Sequence, residues 1–125
     1  MSGKEQDFIK EAFDTNWVVP LGPNVNAFEK SLRGFLIENG KLKVEDEGKQ
    51  VVALSAGTAA LHLGLILLGV QAGDEVICQS FTFCASANPV TYLGATAVFV
   101  DSEEDTWNMN PVLLEEAMRD RMAKT

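Results

Sequence analysis

The spacing of apolar residues in the first fifty positions predicts two amphipathic helices joined by an extended loop. Residues 4–13 and residues 25–36 each place apolar side chains at helical spacing, and the Asn-Gly pair at 39–40 favours the end of the second helix. Asn24 is expected to cap that helix at its start. Between the helices, residues 17–23 (WVVPLGP) combine bulky apolar groups with two prolines and a glycine. This composition disfavours regular structure and predicts an ordered loop.

After residue 50 the pattern changes to short apolar runs, predicted as strands, that alternate with predicted helices. Strands are expected at 51–54, 75–79 and 95–100, and helices at 58–68, from about 86 to 93, and after the capping pair Asn110 and Pro111. Two of the three strands have little polar alternation, which is typical of a parallel sheet covered on both faces. The predicted fold class is α/β, a partial, mostly parallel sheet with helices on both faces.

These patterns predict two parts in the chain. Residues 1–50 would hold the helices, the loop and a charged surface insertion at 40–50, and residues 51–125 would hold the first βαβαβα part of a larger domain. Three strands leave the outer strand uncovered. We therefore expect further strands to follow residue 125, and we expect a chain truncated at that point to associate through its exposed sheet.

Composition and charge narrow the classes of partner. The formal net charge is -8, and the lysines and arginines are scattered, which argues against binding of nucleic acid or of an anionic membrane. The longest apolar runs, such as residues 65–68, are far below the roughly 20 residues that span a bilayer. The expected location is the cytoplasm. Cys78 and Cys84 have no partners at zinc-like spacing, since His62 is the only histidine, and free buried thiols are expected.

One candidate binding site lies where the first predicted strand meets an apolar helix. Residues 55–60 (SAGTAA) would place free backbone N–H groups and the positive end of the helix dipole beside the Thr58 hydroxyl, which is the arrangement of a phosphate cradle. Gly57 would let the backbone approach an anion closely, and Ala59 would keep the mouth of the helix open. Tight packing of small residues is the alternative interpretation. The glycine patterns of dinucleotide and triphosphate sites are missing, so a cofactor with one phosphate fits best.

A second candidate feature follows the strand at 75–79, where residues 80–83 read SFTF. The carboxyl edge of a parallel sheet is where α/β proteins place ligands, and an aromatic side chain there could stack on a flat heteroaromatic ring. The alternative is that Phe81 and Phe83 are core residues. His62 lies within an apolar helix, so a packing role is favoured over a catalytic one.

Five segments in order carry a resemblance to a known family. They are residues 57–63 (GTAALHL), 73–77 (GDEVI), 80–83 (SFTF), 93–95 (LGA) and 98–101 (VFVD). Together they resemble the DegT/DnrJ/EryC1/StrS family of sugar aminotransferases, from about Phe8 to Met118.

The resemblance implies the amino-terminal portion of the large domain of an aspartate-aminotransferase-like enzyme of fold type I, which uses pyridoxal 5′-phosphate (PLP) and acts as a homodimer. Such an enzyme transfers an amino group from an amino-acid donor, usually glutamate, to a nucleotide-linked keto-sugar for polysaccharide precursors. By this resemblance Gly57, Thr58 and Ala59 hold the PLP phosphate and Phe83 stacks on its ring. Residues 17–23 help to form the sugar-nucleotide site near the dimer interface.

The sequence also departs from the family pattern. Pro20 and Leu21 stand where many members have a threonine, so these two positions supply no hydroxyl to the substrate. The insertion at 40–50 is longer than usual. PLP transamination needs a lysine to hold the cofactor and move a proton, and an acid near the pyridine nitrogen. The resemblance places both beyond residue 125, so no catalytic residue is assigned and the isolated chain is expected to be inactive.

Two alternatives stay open at this point. One is a PLP-dependent sugar dehydratase, a relative in which a histidine replaces the catalytic lysine. The other is a non-catalytic remnant that acts as an interaction module by pairing its uncovered sheet with another copy or another protein.

Overall fold

The computed structural model describes residues 2–45 and 51–123. Its internal contacts define two compact units, one that ends at Ala53 and one that begins at Leu54. The predicted boundary at residue 50, and residues 46–50 of the predicted insertion, lie outside the described residues. Within residues 2–45 and 51–123, no helix combines the length and the apolar character needed to cross a membrane.

The first unit contains the two predicted helices, α1 (Glu5–Asp14) and α2 (Pro23–Glu38). The predicted cap at Asn24 is wrong. Because Pro23 takes the first helical position, where its fixed φ and missing N–H are favourable, the cap position falls on Gly22 and Asn24 lies within the first turn. The end of α2 is confirmed: the Asn39 side-chain amide donates to the Phe35 carbonyl at 2.8 Å, and Gly40 takes a φ of 66°.

The loop between α1 and α2 has no helix or strand, as the sequence predicts. The Trp17 indole N–H donates to the Leu21 carbonyl at 2.6 Å, and the indole lies over the buried Gly22. A Cβ at residue 22 would come within 2.1 Å of Trp17 Nε1. The loop therefore depends on a glycine at this position for steric reasons, since the indole occupies the space that a side chain would need.

The second unit alternates helices and strands. Its elements are α3 (Gly57–Leu67), β1 (Glu75–Gln79), a 3₁₀ turn (Cys84–Ser86), α4 (Asn88–Tyr92), β2 (Thr96–Val100) and α5 (Pro111–Met122). The strands β1 and β2 pair in parallel, from Glu75 opposite Thr96 to Gln79 opposite Val100. The parallel α/β class is confirmed, and the bounds of β1 are those predicted. The predicted cap of α5 is also confirmed, because the Asn110 side chain accepts from the Val112 and Leu113 N–H groups.

The strand predicted at residues 51–54 is wrong. The sheet in the described part of the chain consists of β1 and β2. The Ala53 N–H, which a strand would use for pairing, instead donates to the Glu29 carboxylate at 2.8 Å, and Val52 is 61% exposed. An apolar run becomes a strand only where the backbone of a neighbouring strand can pair with it. Here the Glu29 carboxylate, a side chain, accepts the hydrogen bond from the Ala53 N–H.

The core of the second unit lies between the sheet and two of its helices. Cys78, Val90 and Ala95 are buried, and Leu65 of α3 and Val76 of β1 are among the residues that pack against them. Val76 and Cys78 are two residues apart in β1, so both side chains lie on the same face of the sheet, the one that meets α3 and α4. This packing brings the first turn of α3 to the carboxyl end of β1.

Candidate functional site

A cleft of about 1050 Å³ lies between the first turn of α3 and the turn that follows β1. Its walls are mostly apolar, and its polar side chains are few: Thr58 from α3, Gln79 from β1, and Thr82 and Ser86 from the turn. Ligand sites are typically apolar clefts with a small number of placed polar groups, and this cleft has that character.

The first turn of α3 presents free donors to the cleft. The extended Ala56 precedes the helix without a side-chain cap, and the first helical hydrogen bond runs from the Ala60 N–H to the Ala56 carbonyl at 3.2 Å. Among residues 2–45 and 51–123, no acceptor pairs with the N–H groups of Gly57, Thr58 or Ala59. These three groups and the helix dipole favour an anion at this end of the helix.

The geometry at Gly57 allows close approach of a ligand. A Cβ built on this glycine would meet nothing within 4 Å, so the space above its backbone is open. Thr58 lines the same cleft and is the residue of α3 that carries a hydroxyl group. Ala59 is half-buried and its side chain is outside the cleft lining, so its backbone N–H is the group that it can offer. A phosphate group fits this end of the cleft.

The turn after β1 supplies an aromatic ring on the other side. Phe83 has extended backbone angles (φ −68°, ψ 141°) and lies directly before the 3₁₀ turn at Cys84–Ser86. Its side chain is 78% exposed and lines the cleft with Thr58. Phe81 is 65% exposed, so neither ring lies in a core formed by the described residues. The open cleft, the donors and the ring together fit a flat aromatic cofactor that carries a phosphate.

Phe81 lies in a different cleft, of about 630 Å³. Its ring centroid is 5.3 Å from that of Trp107, and the cleft is also lined by Asp101, Glu103 and Glu104. The Thr106 hydroxyl, which donates to the Glu103 carboxylate, holds the pKa of Glu103 below its ordinary value. Carboxylates that stay ionised disfavour a phosphate, so this second cleft is a poor site for the same ligand.

The remaining predicted residues have packing roles or lie apart. The His62 ring meets the Tyr92 ring edge-on at 5.4 Å between centroids, in agreement with the expected packing histidine. Both cysteines are free, but Cys84 is exposed, so the prediction of two buried thiols holds for Cys78 alone. Burial raises the pKa of the Cys78 thiol. No cluster of metal-ligating side chains occurs within the described ranges.

Three polar residues of the cleft, Gln79, Thr82 and Ser86, were not identified from the sequence. The Gln79 side-chain amide donates to the Ser102 hydroxyl at 2.9 Å and to the Trp107 carbonyl at 2.5 Å, which ties the loop after β2 to the end of β1. A signal for them was available, because all three lie within four residues of Phe83 along the sequence. What the sequence could not supply was the turn that folds them to the same side.

Comparison with known proteins gives a consistent match. The family model of the DegT/DnrJ/EryC1/StrS aminotransferase family matches residues 1–124. EpsN of Bacillus subtilis (strain 168), a candidate pyridoxal phosphate-dependent aminotransferase, is 52% identical over 121 residues, which cover 96% of this chain and 28% of EpsN. GDP-perosamine synthase of Caulobacter vibrioides is 39% identical over 115 residues, which cover 92% of this chain and 28% of that enzyme.

Solved structures show the same relationship. A DegT DnrJ EryC1 StrS aminotransferase from Brucella abortus superposes with a TM-score of 0.78 at 34% identity, over 95% of this chain and 29% of that protein. The PMP-form of Spr1654 from Streptococcus pneumoniae, a candidate sugar aminotransferase, gives a TM-score of 0.74 at 32% identity, over 94% of this chain and 27% of that one. Spr1654 also has a PLP-form. The chain thus spans a little over a quarter of the length of the proteins that it matches.

Proposed function

The chain belongs to the DegT/DnrJ/EryC1/StrS aminotransferase family, and on this basis we propose that it forms the phosphate-binding part of an enzyme that aminates a nucleotide-linked keto-sugar. PLP is the cofactor of the family, as the PLP-form and PMP-form of a relative indicate. The amino donor in this proposal is glutamate, and the product serves polysaccharide precursor synthesis. The name of the GDP-perosamine synthase relative supports a nucleotide-sugar substrate.

The observation that carries the proposal is the cleft between α3 and Phe83. In it, the backbone N–H groups of Gly57, Thr58 and Ala59 and the Thr58 hydroxyl would hold the PLP phosphate on the positive end of the helix. A hydrogen bond from a neutral donor to such an anion is stronger than one between neutral groups. These residues would fix one end of the cofactor.

Phe83 would hold the other end of the cofactor by stacking on its pyridine ring. Exposure of 78% leaves the Phe83 side chain available for that contact. When bound, PLP supplies the electron sink on which amino-group transfer depends. The residues described here bind and orient it, and they shield one face of its ring from water.

Assembly and location complete the proposal. We place the enzyme in the cytoplasm as a homodimer, with residues 17–23 contributing to the sugar-nucleotide site. The free thiols of Cys78 and Cys84 are consistent with a reducing compartment.

The proposal can be tested through the cofactor phosphate. The test uses the full-length protein, meaning the complete enzyme of which this chain would be a part. Equilibrium dialysis compares its affinity for PLP with its affinity for pyridoxal, which lacks the phosphate. A dianion on a helix N-terminus gives charge-assisted hydrogen bonds of roughly 1.5 to 3 kcal/mol each, so PLP should bind at least about tenfold more tightly. Equal affinity for the two compounds would contradict the phosphate site.

The reaction class can be tested separately. The PLP-loaded full-length protein should convert to its PMP form when L-glutamate is added, and the change is followed by absorbance. L-lysine at the same concentration is the matched control for the donor. A protein that binds PLP through its phosphate but stays unchanged with every amino acid tried would refute the transaminase proposal and leave the binding site intact.

A further inference from the structure

We propose that the hydroxyl groups of Thr82 and Ser86 are positioning groups that fix Phe83 in the cofactor cleft. The inference rests on the proposed function, because it concerns the residue that would stack on PLP. It adds two residues that neither the sequence nor the family match assigned to the site.

The first step is the contact itself. The hydroxyl oxygens of Thr82 and Ser86 are 2.8 Å apart, a hydrogen-bond distance, and the two residues lie on either side of Phe83. The Ser86 N–H also donates to the Phe83 carbonyl at 2.9 Å. A side-chain bridge and a backbone bond therefore close the same short turn, with Phe83 inside it.

The second step is that Phe83 has little else to hold it. Its side chain is 78% exposed, and among the described residues no aromatic ring packs against it. Phe81, two residues earlier, has Trp107 as a ring partner. The backbone of Phe83 sets the direction of its Cα–Cβ bond and restricts its rotamers, and the bridge between residues 82 and 86 constrains that backbone.

The third step is location. Thr82, Phe83 and Ser86 all line the cleft that contains Thr58. A ring already held in the stacking direction loses less conformational freedom when the cofactor binds, so the bridge should raise PLP affinity. A hydroxyl pair on the far side of the protein would have no such effect.

The test uses the full-length protein, with PLP affinity from equilibrium dialysis and the circular dichroism of the bound cofactor as readouts. Thr82→Val and Ser86→Ala each remove the bridge, and each should weaken PLP binding about two- to tenfold, which is the range that one hydrogen bond supports. The cofactor band should lose amplitude in both variants. Ser86→Thr keeps a hydroxyl and should keep both properties.

Thr91→Val is the matched control. The Thr91 hydroxyl donates to the Asn88 carbonyl at 2.8 Å in the same unit but outside the cleft. Its loss should leave PLP affinity and the cofactor band unchanged. An equal effect from Thr91→Val would show that Thr82 and Ser86 act through general stability, and it would overturn the inference. Thr82→Val retains the shape of its side chain, so it decides the question if Ser86→Ala fails to fold.

A Phe83→Ala background separates positioning from direct contact. If the bridge acts through Phe83, Ser86→Ala should have no further effect on PLP affinity once the ring is gone. An undiminished effect in that background would mean that the hydroxyl contacts the cofactor itself, and the inference would be wrong. If Phe83→Ala alone leaves PLP binding intact, the stacking role in the proposed function fails first, which distinguishes the two failures.

Discussion

Phe81 and Phe83 are separated by one residue and yet lie in two clefts with opposite character. Phe83 shares its cleft with the first turn of α3, where N–H groups point outward, whereas Phe81 shares its cleft with three carboxylates. Both side chains are largely exposed. The aromatic ring therefore does not distinguish the proposed phosphate site from the second cleft. The two clefts differ in the groups near the ring, which are backbone N–H donors in one and carboxylates in the other.

The largest expected effect is at the phosphate end of the Phe83 cleft. Thr58→Val keeps the shape of the side chain and removes its donor, so PLP affinity should fall by about one to two orders of magnitude. Thr106→Val, on the acidic side, is the control and should leave PLP affinity unchanged. Equilibrium dialysis measures both, and similar losses in the two variants would remove the distinction between the clefts.

The two phenylalanines should separate next. Phe83→Ala removes the stacking face and should weaken PLP binding about two- to tenfold, with a change in the absorbance of the bound cofactor. Phe81→Ala should leave both unchanged, because its ring faces Trp107. If Phe81→Ala controlled cofactor binding at preserved fold, the stacking residue in the SFTF segment at 80–83 would have been assigned two residues too late.

The two alanine substitutions should affect the free energy of unfolding in the opposite order to their effects on PLP affinity. Phe81→Ala should lower the free energy of unfolding by about 0.5 to 1.5 kcal/mol, the range for one aromatic contact, rather than the roughly 3 to 5 kcal/mol of a core truncation. Phe83→Ala should lower it less, since its ring is more exposed and has no ring partner among the described residues. Urea unfolding measures both free energies. A loss of roughly 3 to 5 kcal/mol for Phe81→Ala would contradict the exposed position of this ring beside Trp107.

The smallest expected effect concerns the charge of the acidic cleft. The folded state holds the pKa of Glu103 below its ordinary value of 4.5, chiefly through the Thr106 hydroxyl. The resulting stabilisation is present above pH 4.5 and is lost as the pH falls through the lowered pKa. The stability difference between the unmodified protein and Glu103→Gln should therefore shrink below pH 4.5 in pH-dependent melting, and a difference that grows on acidification would contradict this account.

Local sequence signals predicted most of the fold in this chain. Asn110 before Pro111 marks the start of α5, and Gly40, with a φ of 66°, marks the end of α2 as expected. These features depend on a few neighbouring residues, which the sequence displays directly. The strand β1 was predicted with its observed bounds for a similar reason, since Gly73, with a φ of 94°, turns the chain just before it.

What the sequence could not predict depends on partners distant along the chain. The pattern at residues 51–54 resembles that of β1, but pairing requires a free neighbouring edge, and Glu29 binds the Ala53 N–H instead. At the candidate site, the motif put Phe81 and Phe83 at one sheet edge, but their separation into two clefts depends on where Trp107 lies. The roles proposed for Gly57, Thr58, Ala59 and Phe83 remain predictions.

The exposure of Cys84 has a practical consequence for measurement. It follows Phe83 directly, whereas Cys78 is buried and the raised pKa of its thiol leaves less thiolate at neutral pH. Of the two thiols in this sequence, a maleimide dye should therefore label Cys84 selectively, with no engineered residue. The dye would be attached one residue from the proposed stacking ring, so its fluorescence would report in real time when the cleft fills and empties.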